Sequence, residues 1–391
     1  MDFEFATAAR ILFGPGKVQA LPEWVAAAGR RALLLSSRSL ASGEALERAR
    51  RGLAAAGVEV TEQVLSGEPT VETVDATAAQ ARAAGCDVVV AWGGGSVVDA
   101  GKAVAGLLAN GGSALDYLEV VGRGQRLARP AVPLLAVPTT AGTGAEVTRN
   151  AVLAVPERRV KASLRSPHLL PRLALVDPQL TFSLPPAITA STGLDALTQL
   201  LEAYVTRRAN PLTDALARAG LQRVVPALRR AFQDGRDEAA RTEMSLASLL
   251  SGLALANAGL GAVHGFAAPL CGAFPIPHGV ACAALLPYVV EQNVRALQSR
   301  EPGHPALAKY GEALGCLLGR CLGSEAETLA AGVTLLHDLR SEMGLPSLGH
   351  FGVTPADVPM LVAEAERASS MKGNPIPLTP EELTATLQRA L

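Results

Sequence analysis

DVVVAWGGGSVVDAGK, residues 87–102, begins with an unbroken apolar run, turns on three glycines and passes into a helical segment. A continuous apolar run, as opposed to an alternating one, describes a strand buried on both faces. Gly93, Gly94 and Gly95 let a backbone approach a phosphate closely, and the helix behind them adds its partial positive end. Two sharper motifs fail here. A P-loop needs four residues between its first glycine and Gly-Lys-Ser/Thr, whereas five separate Gly95 from Gly101 and Ala103 follows Lys102. The GxGxxG fingerprint fails because Val98 stands where its third glycine belongs. A tight strand–helix turn without a ligand would look similar, so the motif points to phosphate but names no chemistry.

The same pattern continues on either side of this turn. Apolar runs at 32–35, 58–60 and 133–137 alternate with helical stretches at 44–56 and 74–84. Such alternation implies a parallel sheet with helices on both faces. LTFSLPP, residues 180–186, marks a boundary, since its two prolines forbid helix and precede a new one. Beyond it the spacing is helical throughout: Leu194, Leu197, Leu200, Leu201 and Tyr204, then 212–231, 238–256, 280–297, 325–343, 355–368 and 380–391. Pro226 and Pro287 are expected to kink or break two of these helices. The architecture expected is an α/β dinucleotide-binding domain over 1–183 and an all-helical domain over 184–391 that carries the metal or substrate site.

At 391 residues the chain is too long for one ordinary domain. Its 49% hydrophobic content excludes disorder, and a net charge of -1 with 4% aromatics argues against a nucleic-acid partner. Residues 244–290 contain no charged side chain, but glycines and prolines interrupt them, so buried core helices are expected in place of a membrane span. Five unpatterned cysteines and an acidic start without an apolar signal core fit a cytoplasmic protein.

Three further features carry polar chemistry. PTTAGTGAEVT, residues 138–148, follows a strand and places hydroxyls and glycines at the carboxyl edge of the sheet, where open α/β sheets bind ligands. Asp195 and Gln199 lie one helical turn apart on one face. His264 and His278 are the two histidines of the charge-free stretch, and burying them without partners would be costly. A single histidine on an apolar face is usually a satisfied core residue. Two in one uncharged run, with an isolated aspartate elsewhere, point towards a shared metal or substrate site.

These segments together resemble the iron-containing, or group III, alcohol dehydrogenases, which share a fold with glycerol dehydrogenase and dehydroquinate synthase. The resemblance runs from FGPGKV (13–18) through GGGSVVDAGK, PTTAGTGAEVT, LVDPQL (175–180), LPPAITASTGLDALTQLLEAY (184–204) and VHGFAAPLCGAFPIPHGVACAALLP (263–287) to NPIPLT (374–379). It implies a Rossmann-like first domain and NAD(P)-dependent interconversion of an alcohol with an aldehyde or ketone. It also implies that Gly93, Gly94, Gly95, Ser96 and Asp99 of the first loop, with Thr139, Thr140, Thr143 and Lys161, hold the cofactor. Asp195, Gln199, His264 and His278 correspond to the four ligands of one divalent metal, and Asp195, His264 and His278 are the expected catalytic residues.

Gln199 departs from this pattern, because the family carries a histidine there. An amide oxygen is a weaker donor than imidazole for Fe²⁺ or Zn²⁺. The expectation is therefore three good ligands, with iron or zinc held weakly or not at all. Ala268 replaces a second family histidine, which weakens a proton relay. Ser37 stands where NAD-preferring members carry an aspartate, and Arg38 could pair with a 2′-phosphate, so NADP(H) is expected over NAD(H). A small alcohol or aldehyde binding between the two halves is the expected partner, in a homo-oligomer, a dimer. The alternatives are a metal-independent reductase like maleylacetate reductase, whose loop resembles PTTYAGSE and differs from TTAGTGAE (139–146) here, a dinucleotide-binding protein without catalysis, and a lyase like dehydroquinate synthase.

Overall fold

Strands β1 (Ile11–Phe13), β2 (Arg31–Ser37), β3 (Glu59–Leu65), β4 (Val88–Gly93) and β5 (Leu134–Pro138) join the later β8 (Leu173–Val176) in one sheet. Its order is β1-β8-β5-β4-β2-β3, and every pairing is parallel. A separate antiparallel hairpin is formed by β6 (Asn150–Val155) and β7 (Val160–Arg165). The computed structural model describes residues 2–158 and 160–391.

Both faces of the sheet are covered, as unbroken apolar strands require. Leu34, Val90 and Trp92 pack with Leu46 and Leu53 of the helix Glu44–Ala55 on one face. Leu33, Leu35, Val89 and Ala91 pack on the other face with Ala78 and Val98, from the helices Val71–Ala83 and Gly95–Asn110. β2 leads outward to β3 at one edge, while β4 leads the opposite way, to β5. The carboxyl ends of β2 and β4 therefore flank the topological switch point, where doubly wound sheets bind ligands.

Residues 5–140 and 144–183 form this α/β unit; residues 184–391, with 2–4 and 141–143, form the second unit. The second is helical, with one apolar core drawn from the helices Pro186–Val205, Pro211–Gln233, Glu238–Ala258, Ala262–Ala273, His278–Arg300 and those that follow. Of the kink or break expected at Pro226 and Pro287, the break does not occur, since each proline lies inside a continuous 23-residue helix. An interior proline costs about 3 kcal/mol of helix stability, and these helices offset it by burying long apolar faces. The charge-free stretch maps onto three of the buried helices. Among the described residues no single helix is long and apolar enough to cross a membrane.

Candidate functional site

Asp195, Gln199 and Glu202 occupy positions i, i+4 and i+7 of the helix Pro186–Val205 and so share one face, which is buried. His264 is the third residue of Ala262–Ala273, and the first N–H groups of that helix have side-chain acceptors. Asn374 Oδ1 accepts from Ala262 N–H (3.2 Å), and Glu202 Oε1 accepts from Val263 N–H (2.7 Å). A helix start left without acceptors would be costly to bury. His278 opens His278–Arg300 directly after Pro277, and Cys282 lies one turn further along the same face.

Four donor atoms, from Asp195, His264, His278 and Cys282, all lie within 4.8 Å of one another. Asp195 Oδ1 is 3.4 Å from His264 Nε2 and 3.7 Å from His278 Nε2. Cys282 Sγ is 3.8 Å from His264 Nε2 and 3.7 Å from His278 Nε2. His264 Nδ1–H donates to Glu202 Oε2 at 2.6 Å, which leaves Nε2 facing the cluster. Asp195 Oδ1 is buried and makes no hydrogen bond among the described residues. Gln199 turns its Nε2 to Asp195 Oδ2 (3.4 Å), while its Oε1 accepts from the Ser251 hydroxyl (2.9 Å).

Electrostatics favour positive charge at this point. Burial pushes the Asp195 carboxyl up, but His278 and His264 outweigh it and hold the group below its ordinary range. Burial opposes charge on His264, yet Cys282, Asp195 and Glu202 together raise it well above the usual imidazole value. The Cys282 thiol is pushed up to about 12 by burial. His278 is the accessible member, with its side chain 36% exposed against 3% for Asp195.

In the α/β unit, Gly93 ends β4, Gly94 caps the helix Gly95–Asn110, and Ser96 is in its first turn. A Cβ on Gly93 would lie 2.6 Å from Val97 Cγ2, so a side chain there would push the turn open. Thr139 N–H donates to Gly93 O, which holds the start of the second loop beside the first. Ser96 Oγ donates to Glu68 at 3.4 Å, and the Lys161 ammonium lies 3.2 Å from the same carboxylate. Asp99 accepts from Val152 N–H (3.1 Å) and lies 3.5 Å from the buried Lys102 ammonium, tying the helix to the hairpin. Ser37 Oγ is 3.1 Å from Ser39 Oγ, and Arg38 is exposed beyond the end of β2.

Family models cover nearly all of this chain: iron-containing alcohol dehydrogenase over residues 8–178, and the C-terminal region of the Fe-containing alcohol dehydrogenase family over residues 189–391. The chain belongs to the iron-containing alcohol dehydrogenase family. Alcohol dehydrogenase 4 of Saccharomyces cerevisiae is 36% identical over 323 residues, 82% of this chain and 80% of that protein. The 1,3-propanediol dehydrogenase of Klebsiella pneumoniae is 35% identical over 386 residues, 97% and 96% of the two chains. A solved 1,3-propanediol oxidoreductase superposes with a TM-score of 0.92 at 32% identity, covering 100% of both chains. This protein is accordingly an NAD(P)-dependent alcohol dehydrogenase of a family that uses iron or another divalent metal, and it interconverts an alcohol with its carbonyl counterpart.

The donor set of this dehydrogenase fits a divalent ion. Zinc–nitrogen and zinc–oxygen bonds of about 2.1 Å and zinc–sulfur bonds of about 2.3 Å give tetrahedral edges of roughly 3.3–3.6 Å. Four of the donor separations, 3.4 to 3.8 Å, come within a few tenths of that, and all lie within 4.8 Å. Asp195, Gln199, His264 and His278, singled out from sequence, are all brought together. Two residues escaped the sequence reading. Glu202 was recognisable as the one acid at helical spacing from Asp195 in an otherwise uncharged stretch, whereas Cys282 reads as an ordinary core cysteine until the fold sets it one turn after His278.

Proposed function

We propose that Asp195, His264 and His278 hold a divalent ion at which a primary alcohol and its aldehyde are interconverted, with NADP(H) preferred over NAD(H). The observation that carries the proposal is the buried Asp195 Oδ1, which has no hydrogen bond among the described residues and points where two imidazole nitrogens converge. When bound, the ion supplies Lewis acidity towards the substrate oxygen, and the dinucleotide accepts or delivers the hydride. Asp195 contributes the fixed negative charge, and Glu202 locks the imidazole of His264 so that Nε2 faces inward. His278 forms the accessible edge of the cluster, so its flank admits the substrate oxygen and gives a proton a way to water. With Ala268 in place of a histidine, proton exchange depends on that flank.

The cofactor preference rests on what stands at the end of β2. Ser37 carries no charge to repel a 2′-phosphate, and the exposed Arg38 can form charge-assisted bonds to it. Ser37→Asp restores a carboxylate suited to a ribose 2′-hydroxyl. At about 1.5 kcal/mol for such an interaction, it should shift the NADP⁺/NAD⁺ ratio of kcat/KM roughly tenfold towards NAD⁺. The test compares both cofactors with short alcohols before and after chelation, and after return of Fe²⁺ or Zn²⁺. Turnover untouched by thorough chelation would overturn the metal assignment, and equal use of the two cofactors would overturn the NADP(H) preference. Five free cysteines and this dinucleotide chemistry fit a reducing, cytoplasmic setting.

A further inference from the structure

We propose that Cys282, in place of Gln199, supplies the fourth donor of the metal centre, giving an Asp195–His264–His278–Cys282 cage. The inference rests on the reading of this cluster as a divalent-ion site and adds to it the identity of the remaining ligand. Cys282 follows His278 by one helical turn, so the two side chains leave the same face of one helix. Its sulfur lies 3.8 and 3.7 Å from the two inward imidazole nitrogens, close to the edges of a tetrahedron with one sulfur corner.

Gln199 is arranged for a different task. Its amide NH₂ faces Asp195 Oδ2, and its oxygen is held by Ser251. The reversed amide would set its oxygen against a carboxylate oxygen, 3.4 Å from Asp195 Oδ2. As it stands, Gln199 engages one oxygen of Asp195 and leaves the other, Oδ1, for an ion. It is a positioning residue.

A Cys282 thiolate would give the ion a second anionic ligand beside Asp195, with the Glu202 carboxylate standing behind His264. As the metal–sulfur bond forms, the S–H bond breaks and its proton passes to solvent. No electron is transferred. A thiolate donor also moves the preference of the site from Fe²⁺ towards Zn²⁺ and Co²⁺.

Cobalt provides a readout independent of activity. The full-length protein, stripped of metal and refilled with Co²⁺ alone, is expected to bind one ion per chain and to show a near-ultraviolet sulfur-to-cobalt charge-transfer band. Cys282→Ser should abolish that band and weaken Co²⁺ binding by more than the roughly 10–100-fold that loss of an outer hydrogen-bond partner costs. Cys271→Ser should keep the band, and thermal unfolding would confirm that each variant is folded. Gln199→His in the Cys282→Ser background should recover binding without recovering the band. Cobalt binding with no charge-transfer band, or with a band that survives Cys282→Ser, overturns the role of Cys282 while the metal site stands. Absence of cobalt binding in the wild type overturns both.

Discussion

The Glu202 carboxylate accepts from Val263 N–H at 2.7 Å and from His264 Nδ1–H at 2.6 Å, one bond on each oxygen. Glu202→Gln retains the shape but leaves a single acceptor oxygen for two donors, so either the helix start or the imidazole loses its partner. Outer-shell partners of metal-binding histidines are worth roughly 10–100-fold in metal affinity or activity. The variant should lose that much Zn²⁺ affinity in a competition titration while its fold, read by circular dichroism, is unchanged. Affinity within twofold of the wild type would show that Glu202 does not orient His264. At this scale the sequence was partly legible. Asp195, His264 and His278 stand out because an isolated polar group in an uncharged stretch needs a reason to be buried. Cys282 does not stand out, since a buried cysteine is ordinary in a core and only the fold sets its sulfur beside two imidazoles.

At the scale of elements, the site depends on how closely the helix His278–Arg300 approaches Pro186–Val205. A Cβ on Gly279 would lie 2.1 Å from the Ser191 carbonyl oxygen, far inside contact distance, and the obstacle is backbone. Gly279→Ala must therefore push apart the helix that carries Asp195 and the one that carries His278 and Cys282. Overpacking of this kind costs about 1–3 kcal/mol. A lower Tm together with weaker metal binding is expected, whereas Gly303→Ala, with open space at its Cβ, should be neutral in both measurements. An unchanged Tm for Gly279→Ala would mean that the helices separate without cost. The glycine of the PHG segment was visible in the sequence, but its reason was not, because the obstructing carbonyl lies 88 residues earlier in the chain (279 less 191). Strands β1 and β8, three and four residues long, were likewise too short to show a pattern of their own. The hairpin of β6 and β7 carries no Asn-Gly or Asp-Gly turn to announce it.

Over the whole molecule, the division into an α/β half and a helical half was readable from hydrophobic period alone, whereas the strand order depends on crossovers that no local pattern encodes. The burial of two ionisable groups inside the α/β unit, Lys102 and Glu146, was equally invisible, and Glu146 sets a pH dependence for the stability of the fold. Lys102 is fully buried, its ammonium donating to Thr148 Oγ1 and to the Asn150 carbonyl at 2.8 Å each, with Asp99 at 3.5 Å. A single ammonium can balance a single carboxylate, and Glu146 is a second buried acid nearby. Burial pushes Glu146 up to about 7, more than its own backbone hydrogen bond and the charge of Lys102 pull it down. Between the ordinary value of 4.5 and about 7, the folded chain keeps a proton that the unfolded chain has released. Stability must then fall as pH rises through that window, by about 3 kcal/mol in all at 1.36 kcal/mol per pH unit, and level off above it. Glu146→Gln stays neutral at every pH and removes this contribution. Urea unfolding of both proteins at pH 5 and pH 8 checks the expectation: the variant should gain on the wild type at pH 8 by about 2.5 kcal/mol relative to pH 5, since pH 5 already lies inside the window. If the two proteins change in parallel, the Glu146 carboxyl does not hold its proton in the fold, and Lys102 must compensate both acids.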